Sequence, residues 1–552
     1  MNVNGLALLF HTGRHLKAKQ IAYRIFYYFY KCSRTDYTNA NPKPRLWKKQ
    51  WNAPLCFSSN INEAGQFTFL SEQGCLVTPD DWSNTKQSRL WLYNLHYFNE
   101  LNVINANKRQ TELNHLINKW IDENAVMQGC GWEPYPLSLR LVNLVTWFSR
   151  HPHLIKTHYL VSLATQAEAL FKQLEYHILG NHLFANAKAL IFIGTFLDEP
   201  RAEVWLKKGL QILDNEIKEQ FLQDGGHFEL SPMYHGILLW DLCDLVNLAQ
   251  RSGLPELQKR QEAWQEVIAQ GLKWLYSMLH PDNKISFFND AAFGIAPEIN
   301  HLEHYATQLN IPIPQQIEKQ FACDWLSYSG YCAVYLEEGC KALIDIAPVG
   351  PNYQPGHAHA DTLSFELSLY NQRFLVNSGT SQYGEDSQRH YERSTRAHNT
   401  VSINEENSSE IWAGFRVARR AYPKNRIVEA DDKTILIAAS HNGYKRLAGR
   451  NIHKREWCFT HKKLILKDSI SGAYDVAISR LYFHPDVQLQ IETPHLVHCV
   501  LLGGQKVYIK LTGNCQIKIE DTFWYPEFGV KIKNSCLVIQ ISNNKSLIEL
   551  GW

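Results

Sequence analysis

Near Tyr328 the apolar residues of this chain change their spacing, and that change restricts the fold more than any other feature. From about Leu90 to Leu309 they recur at helical intervals. Leu183, Ala187, Leu190 and Ile191 stand at i, i+4, i+7 and i+8, one stripe along a helix. Gly194 extends the stripe at i+11 as a small residue, where a neighbouring helix can come close. Trp205, Leu206, Leu210, Leu213, Ile217 and Phe221 form a second stripe, and residues 237–248 and 264–279 repeat the theme. Beyond Tyr328, runs at 331–336, 342–346, 362–370, 464–467, 507–511, 516–519 and 537–541 alternate at period two between turn residues. Helices joined by short breaks predict a bundle or an α/α toroid. Alternating strands predict an antiparallel β-sandwich. A chain of 552 residues exceeds one hydrophobic core, so these halves are separate domains. The expected layout is an N-terminal arm and irregular region (1–85), a helical domain (86–322) and a β domain (323–552), with room for a cleft between the last two. Within the first region, residues 36–60 read as an irregular arm and 63–80 as a short hairpin.

A net charge of +2 argues against a nucleic-acid binder. The 16 Trp and 26 Tyr suit sugar stacking as well as core packing. Twelve cysteines lie scattered without a C-x-x-C pair, which leans towards a reducing compartment. The apolar stretch Leu6–Phe10 is short and lacks both a basic region before it and a cleavage site after it. A secretory signal is therefore not evident and the cytoplasm is slightly favoured, with the periplasm as the alternative. Residues 14–30 mix Arg, Lys and aromatics. They form either an amphipathic helix at a membrane surface or, as expected here, one packed on the protein body. No apolar run is long enough for a transmembrane helix.

Four segments carry residues with chemical potential. Gly180-Asn181-His182 breaks one helix and begins another. The stretch from Gly225 to His235 sets Glu229 before an adjacent Tyr234 and His235. In Gly356-His357-Ala358-His359-Ala360-Asp361, positions i, i+2 and i+4 would share one face of a strand, as a metal site or a catalytic cluster requires. Arg393, Arg396 and His398 precede a further strand. Each segment also has a plain structural reading, as a helix cap, a packed phenol or a solvated basic loop.

These four segments, in this order, resemble the heparinase II/III family of polysaccharide lyases. Smaller echoes are 91–97, 132–140 with Trp132, Tyr135 and Arg140, and Asn442 to Arg446 followed by His453 and Arg455. The resemblance implies an incomplete α/α toroid followed by an antiparallel β-sandwich. It implies β-elimination on an acidic, uronate-containing glycan. By resemblance, Asn181 binds the uronate carboxylate, Tyr234 is the catalytic tyrosine that protonates O4, and His182 or His357 takes the C5 proton. Tyr234 doing both jobs in a syn elimination stays open. Glu229, His235, Trp132, Tyr135, Arg140, Arg393 and Arg396 are expected to orient these groups or touch substrate.

Family members also carry a zinc held by His, Asp and His. His359 and His398 match the histidines, but Asn377 stands where the family shows Asp, so one structural zinc is in question. Asp361 is an alternative third ligand. Ala185 stands where relatives often place Glu, which removes expected support for His182. Three other readings remain at this point. The chain can be an accessory enzyme of surface-polysaccharide assembly, or a non-catalytic glycan-binding protein. A hydrolase would have to use Glu229, Asp290 or Asp361.

Overall fold

A computed structural model describes residues 3–30, 37, 41–45, 47–62, 64–315, 319–337, 339–513 and 516–552. The expected arm at 36–60 therefore lies partly outside the described residues. Its described part makes only isolated bridges, Pro44 to Leu197 and Phe57 to Val103. The expected hairpin pairs Phe67–Phe69 with Glu72–Gly74.

Two helices, α1 (Val3–Gly13) and α2 (Ala18–Phe29), precede the main body. The helical half contains α3 (Arg89–Tyr97), α4 (Gln110–Glu123), α5 (Pro134–Arg150), α6 (Thr157–Lys172), α7 (Gly180–Phe196), α8 (Pro200–Gln220), α9 (Pro232–Ser252), α10 (Pro255–Met278) and α11 (Ile299–Gln308). Successive helices pack as antiparallel neighbours, α7 on α8 and α9 on α10, and form an incomplete α/α toroid. Their starts are written in the sequence. Pro134, Pro200, Pro232 and Pro255 each open a helix, where the missing N–H costs nothing. Ser231 caps α9 by accepting Tyr234 N–H, and Gly253 ends it in the left-handed conformation.

The centre of this half is α7. The apolar stripe read from the sequence underestimates it, because every residue from Leu183 to Phe196 is buried. Such a helix is enclosed on all sides rather than amphipathic. Gly194 lets α8 approach as expected: a Cβ there would stand 2.6 Å from Ala202 O and from Leu206 N.

The β half holds three main sheets, all antiparallel. Ala322–Leu326, Tyr331–Tyr335, Lys341–Asp345, Phe365–Leu369 and Gln372–Leu375 form a five-stranded meander. An eight-stranded sheet has Ile452–Thr460 and Lys463–Ser471 near its middle. A four-stranded sheet is built on Ala477–Tyr482 and Ile532–Gln540. Along Ile452–Thr460 burial alternates residue by residue, the period-two pattern of a strand with one face on a core. Val334, Ile344, Phe365, Trp457, Phe459, Leu464, Leu537 and Ile539 fill one core shared by the sheets. One short helix, α12 (Ser387–Glu392), interrupts this half.

Two apolar seams join the halves. Leu230, Trp274 and Met278 pack on Tyr331, Ala333 and Leu343. Met233 and Tyr234 pack with Phe287, Val376, Trp524 and Phe528. The segment Leu230–Tyr234 belongs to both seams, so the junction and the start of α9 are built together.

Gly194→Ala forces a methyl into the backbone of α8. It should destabilise the protein by about 1–3 kcal/mol, seen as a lowered melting midpoint by circular dichroism at the helical wavelengths.

Candidate active site

The expected residues Asn181, His182, Tyr234 and His357 come from three chain segments, and Glu229 ties two of these segments together through Asn181 and His357. Its Oε2 pairs with His357 Nδ1, and its Oε1 accepts Asn181 N–H at 3.4 Å. Gly180 makes this approach possible. It has φ +60°, and a Cβ on it would meet Glu229 Oε1 at 3.0 Å. Leu179 before it also has a positive φ, +70°. That conformation is costly for a branched side chain and is held by the surrounding structure.

His357 stacks face to face on Tyr234, with ring centroids 3.8 Å apart and planes 16° from parallel. The carboxylate of Glu229 fixes the N–H on Nδ1 and leaves a lone pair on Nε2. Nε2 has no hydrogen-bond partner among the described residues. Burial would raise the Glu229 carboxyl, but its contacts with His357, His227 and Asn181 N–H hold it below the ordinary carboxylate value. Tyr234 is buried, and burial, together with Tyr383 and other nearby groups, pushes its phenol well above the usual value. It is therefore a protonated phenol at neutral pH.

His182 is supported in a way the sequence reading did not foresee. Its Nδ1 lies 2.9 Å from Glu175 Oε1, and Glu175 Oε2 accepts Asn186 Nδ2–H at 2.9 Å. Asn186 Oδ1 returns to Glu175 N–H at 2.8 Å. Glu175 thus supplies a carboxylate that Ala185 cannot. Burial opposes the charge on His182, but Glu175 outweighs it and holds the pKa above the ordinary imidazole value. Tyr135 lies against the ring, centroids 4.5 Å apart. Asn181 Oδ1 is buried with no hydrogen-bond partner among the described residues, an unusual state for an amide. Asn181, His182 and Tyr234 all stand in the first turn of a helix, α7 or α9, where the helix dipole favours an anion.

Tyr383 was missed. Its hydroxyl is 2.9 Å from Tyr234 OH, and the Arg389 guanidinium lies 4.9 Å from its ring centroid. It sits in a loop after the strand Gln372–Leu375, with no neighbouring residue to mark it. Only the Gly379 to Gly384 loop composition offered a hint.

Other expected contacts prove to be internal. His235 is fully buried. Its Nε2 bonds Gly271 O at 2.9 Å, its Nδ1 accepts His227 N–H at 3.2 Å, and burial pushes its pKa down to about 3. Trp132 is a core residue against Trp120. Arg140 is fully buried and donates to His96 O, Gly131 O and Gln166 Oε1. Arg393 donates to Ala358, Ala413, Gly414 and Arg416 carbonyls. Burial pulls both guanidinium groups down to about 9. His235, Arg140 and Arg393 hold backbone in place, Trp132 packs in the core, and none of the four is open to a ligand. Arg396 is exposed, and its carbonyl accepts Tyr482 OH. For a hydrolase, Glu229 and Asp290 offer little. Asp290 is clamped by Arg389 and His359 and its carboxyl is held far below the usual range, so it is no proton donor.

The histidines expected as metal ligands do meet. His359 Nδ1 and His398 Nε2 are 3.1 Å apart. His359 Nε2 faces Asp290 Oδ1 at 2.8 Å and His398 Nδ1 faces Ser394 O at 2.7 Å. Both outer contacts call for an N–H, so two neutral rings would turn lone pairs towards each other. One extra proton or one cation resolves that conflict. Asn377 Oδ1 accepts Asn399 N–H at 3.2 Å, and its Nδ2 donates to Phe287 O at 3.0 Å. Asp361 accepts Asn289 N–H at 3.3 Å. Among the described residues no group of three or more His, Cys, Asp or Glu could hold a metal ion.

Comparison with known proteins supplies the remaining findings. Residues 85–311 match the family model described as Heparinase II/III N-terminus, and residues 320–552 the one described as Heparinase II/III-like, C-terminal. The chain is 27% identical over 378 residues to a heparin-sulfate lyase of Bacteroides stercoris, covering 64% of this chain and 54% of that protein. It is 26% identical over 304 residues to a heparin-sulfate lyase of Pedobacter heparinus, covering 50% of this chain and 44% of that one. The chain thus spans about half the length of the curated relatives it matches. Among solved structures, a crystal structure of heparinase III aligns over 100% of this chain and 91% of its own, with TM-score 0.69 and 16% identity. A heparan sulfate lyase mutant from Pedobacter heparinus aligns over 88% and 81%, with TM-score 0.59 and 18% identity. At these identities the structural likeness speaks for the fold, the helical toroid followed by antiparallel sheets.

If Arg393 is a backbone clamp, Arg393→Lys should cost about 2 kcal/mol or more of stability, through carbonyls left unsatisfied. Glycan affinity, measured by calorimetry on the folded fraction, should be unchanged.

Proposed function

The chain belongs to the heparinase II/III family, and from that premise we propose that it is a polysaccharide lyase cleaving an acidic, uronate-containing glycan by β-elimination. The observation that carries this reading is the pair formed by Tyr234 and His357. A protonated phenol is stacked 3.8 Å from an imidazole whose proton is fixed on the far nitrogen by Glu229. Elimination needs both, a base for C5–H and an acid for O4. Binding alone needs neither.

In the proposed reaction the uronate carboxylate meets Asn181 and His182. The amide of Asn181 and the cationic lean of His182 stabilise charge that spreads from C5 into the carboxylate as the proton leaves. His357 Nε2 takes the C5 proton. The C5–H electron pair forms the C4–C5 double bond, the C4–O4 bond breaks, and Tyr234 gives its proton to O4. The proton now on His357 then returns to the Tyr234 phenolate by way of solvent, and Tyr383 steadies that phenolate through its hydrogen bond. Base and acid lie side by side, which serves a uronate whose C5 hydrogen and O4 share one face of the ring, the gluco rather than the ido configuration.

A structural zinc, where present, would sit on His359 and His398, with Asn377 Oδ1 as the third protein ligand, since Asp361 does not form a three-residue set with the two histidines. The two inner nitrogens support this reading, since a cation removes their conflict. It would tie the 357–361 segment to the 394–398 segment and takes no part in the elimination. Elemental analysis should find up to one zinc per chain, and chelation should lower the melting midpoint. Metal-free protein with an unchanged midpoint would leave a shared proton in its place.

Tyr234→Phe should cut turnover by about 10²–10⁴ while leaving glycan binding intact, read as loss of the ultraviolet-absorbing unsaturated product. Absence of that product from the unmodified protein, across a broad uronate panel, would sink the lyase reading. The charged form of His182 persists above the ordinary imidazole pKa because of Glu175. Activity that depends on this charge should hold through that range and fall as pH rises beyond it. Glu175→Gln should bring that fall to lower pH.

A further inference from the structure

The first thirty residues contain Arg14, Lys17, Lys19 and Arg24 and no Asp or Glu. They carry four positive charges in a chain whose net charge is +2, so the remainder is slightly negative. They also hold nine of the 21 large hydrophobic side chains exposed among the described residues.

The geometry of α2 explains that exposure. Gln20, Tyr23 and Tyr27, at i, i+3 and i+7, face the protein. Gln20 Nε2 donates to Ile178 O at 3.1 Å and Tyr353 O at 3.2 Å, Tyr27 OH donates to Leu174 O at 2.7 Å, and the Tyr23 ring packs on Tyr176. The opposite face consists of Ala18, Ile21, Ala22, Ile25, Tyr28 and Phe29, at i, i+3, i+4, i+7, i+10 and i+11, and all six are exposed. Ile25 is 56% exposed, and Tyr28 and Phe29 are each 80% exposed. A helix on a water-soluble surface normally turns this stripe inwards. Here the polar Gln20 is buried and the apolar stripe points out. Leu6 and Phe10 of α1 are exposed as well. Arg14 and Arg24, both exposed and without a carboxylate partner among the described residues, flank it, and Arg416 and Arg420 add positive charge nearby.

We propose that the α1–α2 segment docks the protein in the plane of an anionic lipid bilayer, with the outward stripe of α2 among the acyl chains and Arg14 and Arg24 at the headgroups. An outward apolar stripe bordered by cations, with no acid in the segment, is the chemistry of an interfacial helix. At twelve residues α2 is about 18 Å long, too short to cross a bilayer core of about 30 Å. No helix among the described residues is long and apolar enough to span a membrane. The hydrogen bonds of Gln20 fasten α2 to the segment before Gly180 and to the segment before His357. A docked α2 therefore holds both halves of the protein at the surface.

The test is co-sedimentation of the full chain with vesicles of phosphatidylcholine alone and of phosphatidylcholine mixed with phosphatidylglycerol. The protein should pellet with the anionic vesicles, and less so at high salt. Ile25→Glu/Phe29→Glu should reduce that binding about tenfold or more, and Arg14→Glu/Arg24→Glu should abolish the preference for anionic lipid. Equal pelleting of the parent and the Ile25→Glu/Phe29→Glu variant would overturn the proposal, as would no pelleting of the parent. So would a parent dimer that this variant converts to monomer without any vesicle binding, since the stripe would then be a face between two copies. Both positions point away from the body, so melting midpoints should match. Should Ile25→Glu/Phe29→Glu melt early, Ile25→Gln/Phe29→Gln is read by the same outcomes.

Discussion

A carboxylate buried at the junction of two domains must be paired, or its desolvation costs several kcal/mol. Glu229 is 2% exposed and answers that demand in two directions. One oxygen holds the first turn of α7 and the other holds the imidazole of His357 in the β half. The remaining geometry follows from this. The tautomer of His357 is set by the pairing, the stacking on Tyr234 depends on where His357 is held, and the tight turn at Gly180 exists because the carboxylate oxygen needs the space.

The junction around it is reinforced by polar groups rather than by apolar packing alone. Asn289 donates to Leu230 O at 2.9 Å and accepts His359 N–H at 3.0 Å, so one amide spans the helical and β halves. Asp290 follows it. Its carbonyl accepts Ser231 Oγ–H at 2.6 Å, its N–H donates to His357 O at 2.9 Å, and its carboxylate neutralises Arg389. Buried polar networks of this kind are costly when partly satisfied and rigid when complete. These bonds fix the relation between the capped end of α9, which presents Tyr234, and the loop that presents His357.

Two histidines that strand spacing would group, and that the family resemblance already separates, have different partners in the structure. His357 belongs to Glu229 and Tyr234. His359, two residues on, turns to Asp290 and His398. Alternation along an extended segment would place i and i+2 on one face. The segment 357–361 is not a strand but a loop of turns, so the two rings part company. The same reasoning explains Arg140 and Arg393. A sequence shows that an arginine lies near a motif, but not whether its guanidinium faces solvent or a cluster of carbonyls.

The sequence by itself determined the two-part architecture, because hydrophobic period is a local property that survives into burial. Prolines mark the starts of four helices, and the segments at 180–182, 225–235 and 356–361 stand out in the sequence and do meet around Glu229. For residues 14–30 the sequence offered an amphipathic helix at a membrane surface or one packed on the body, and the expected packing involves one face of α2. The tertiary structure decided the partnerships. Glu175 replaces the support missing at Ala185, Tyr383 joins Tyr234 from 149 residues away, and His235 and Trp132 withdraw into the core. The physical reason is that charge pairing and proton placement depend on distances across the domain junction, and no spacing along the chain encodes those distances.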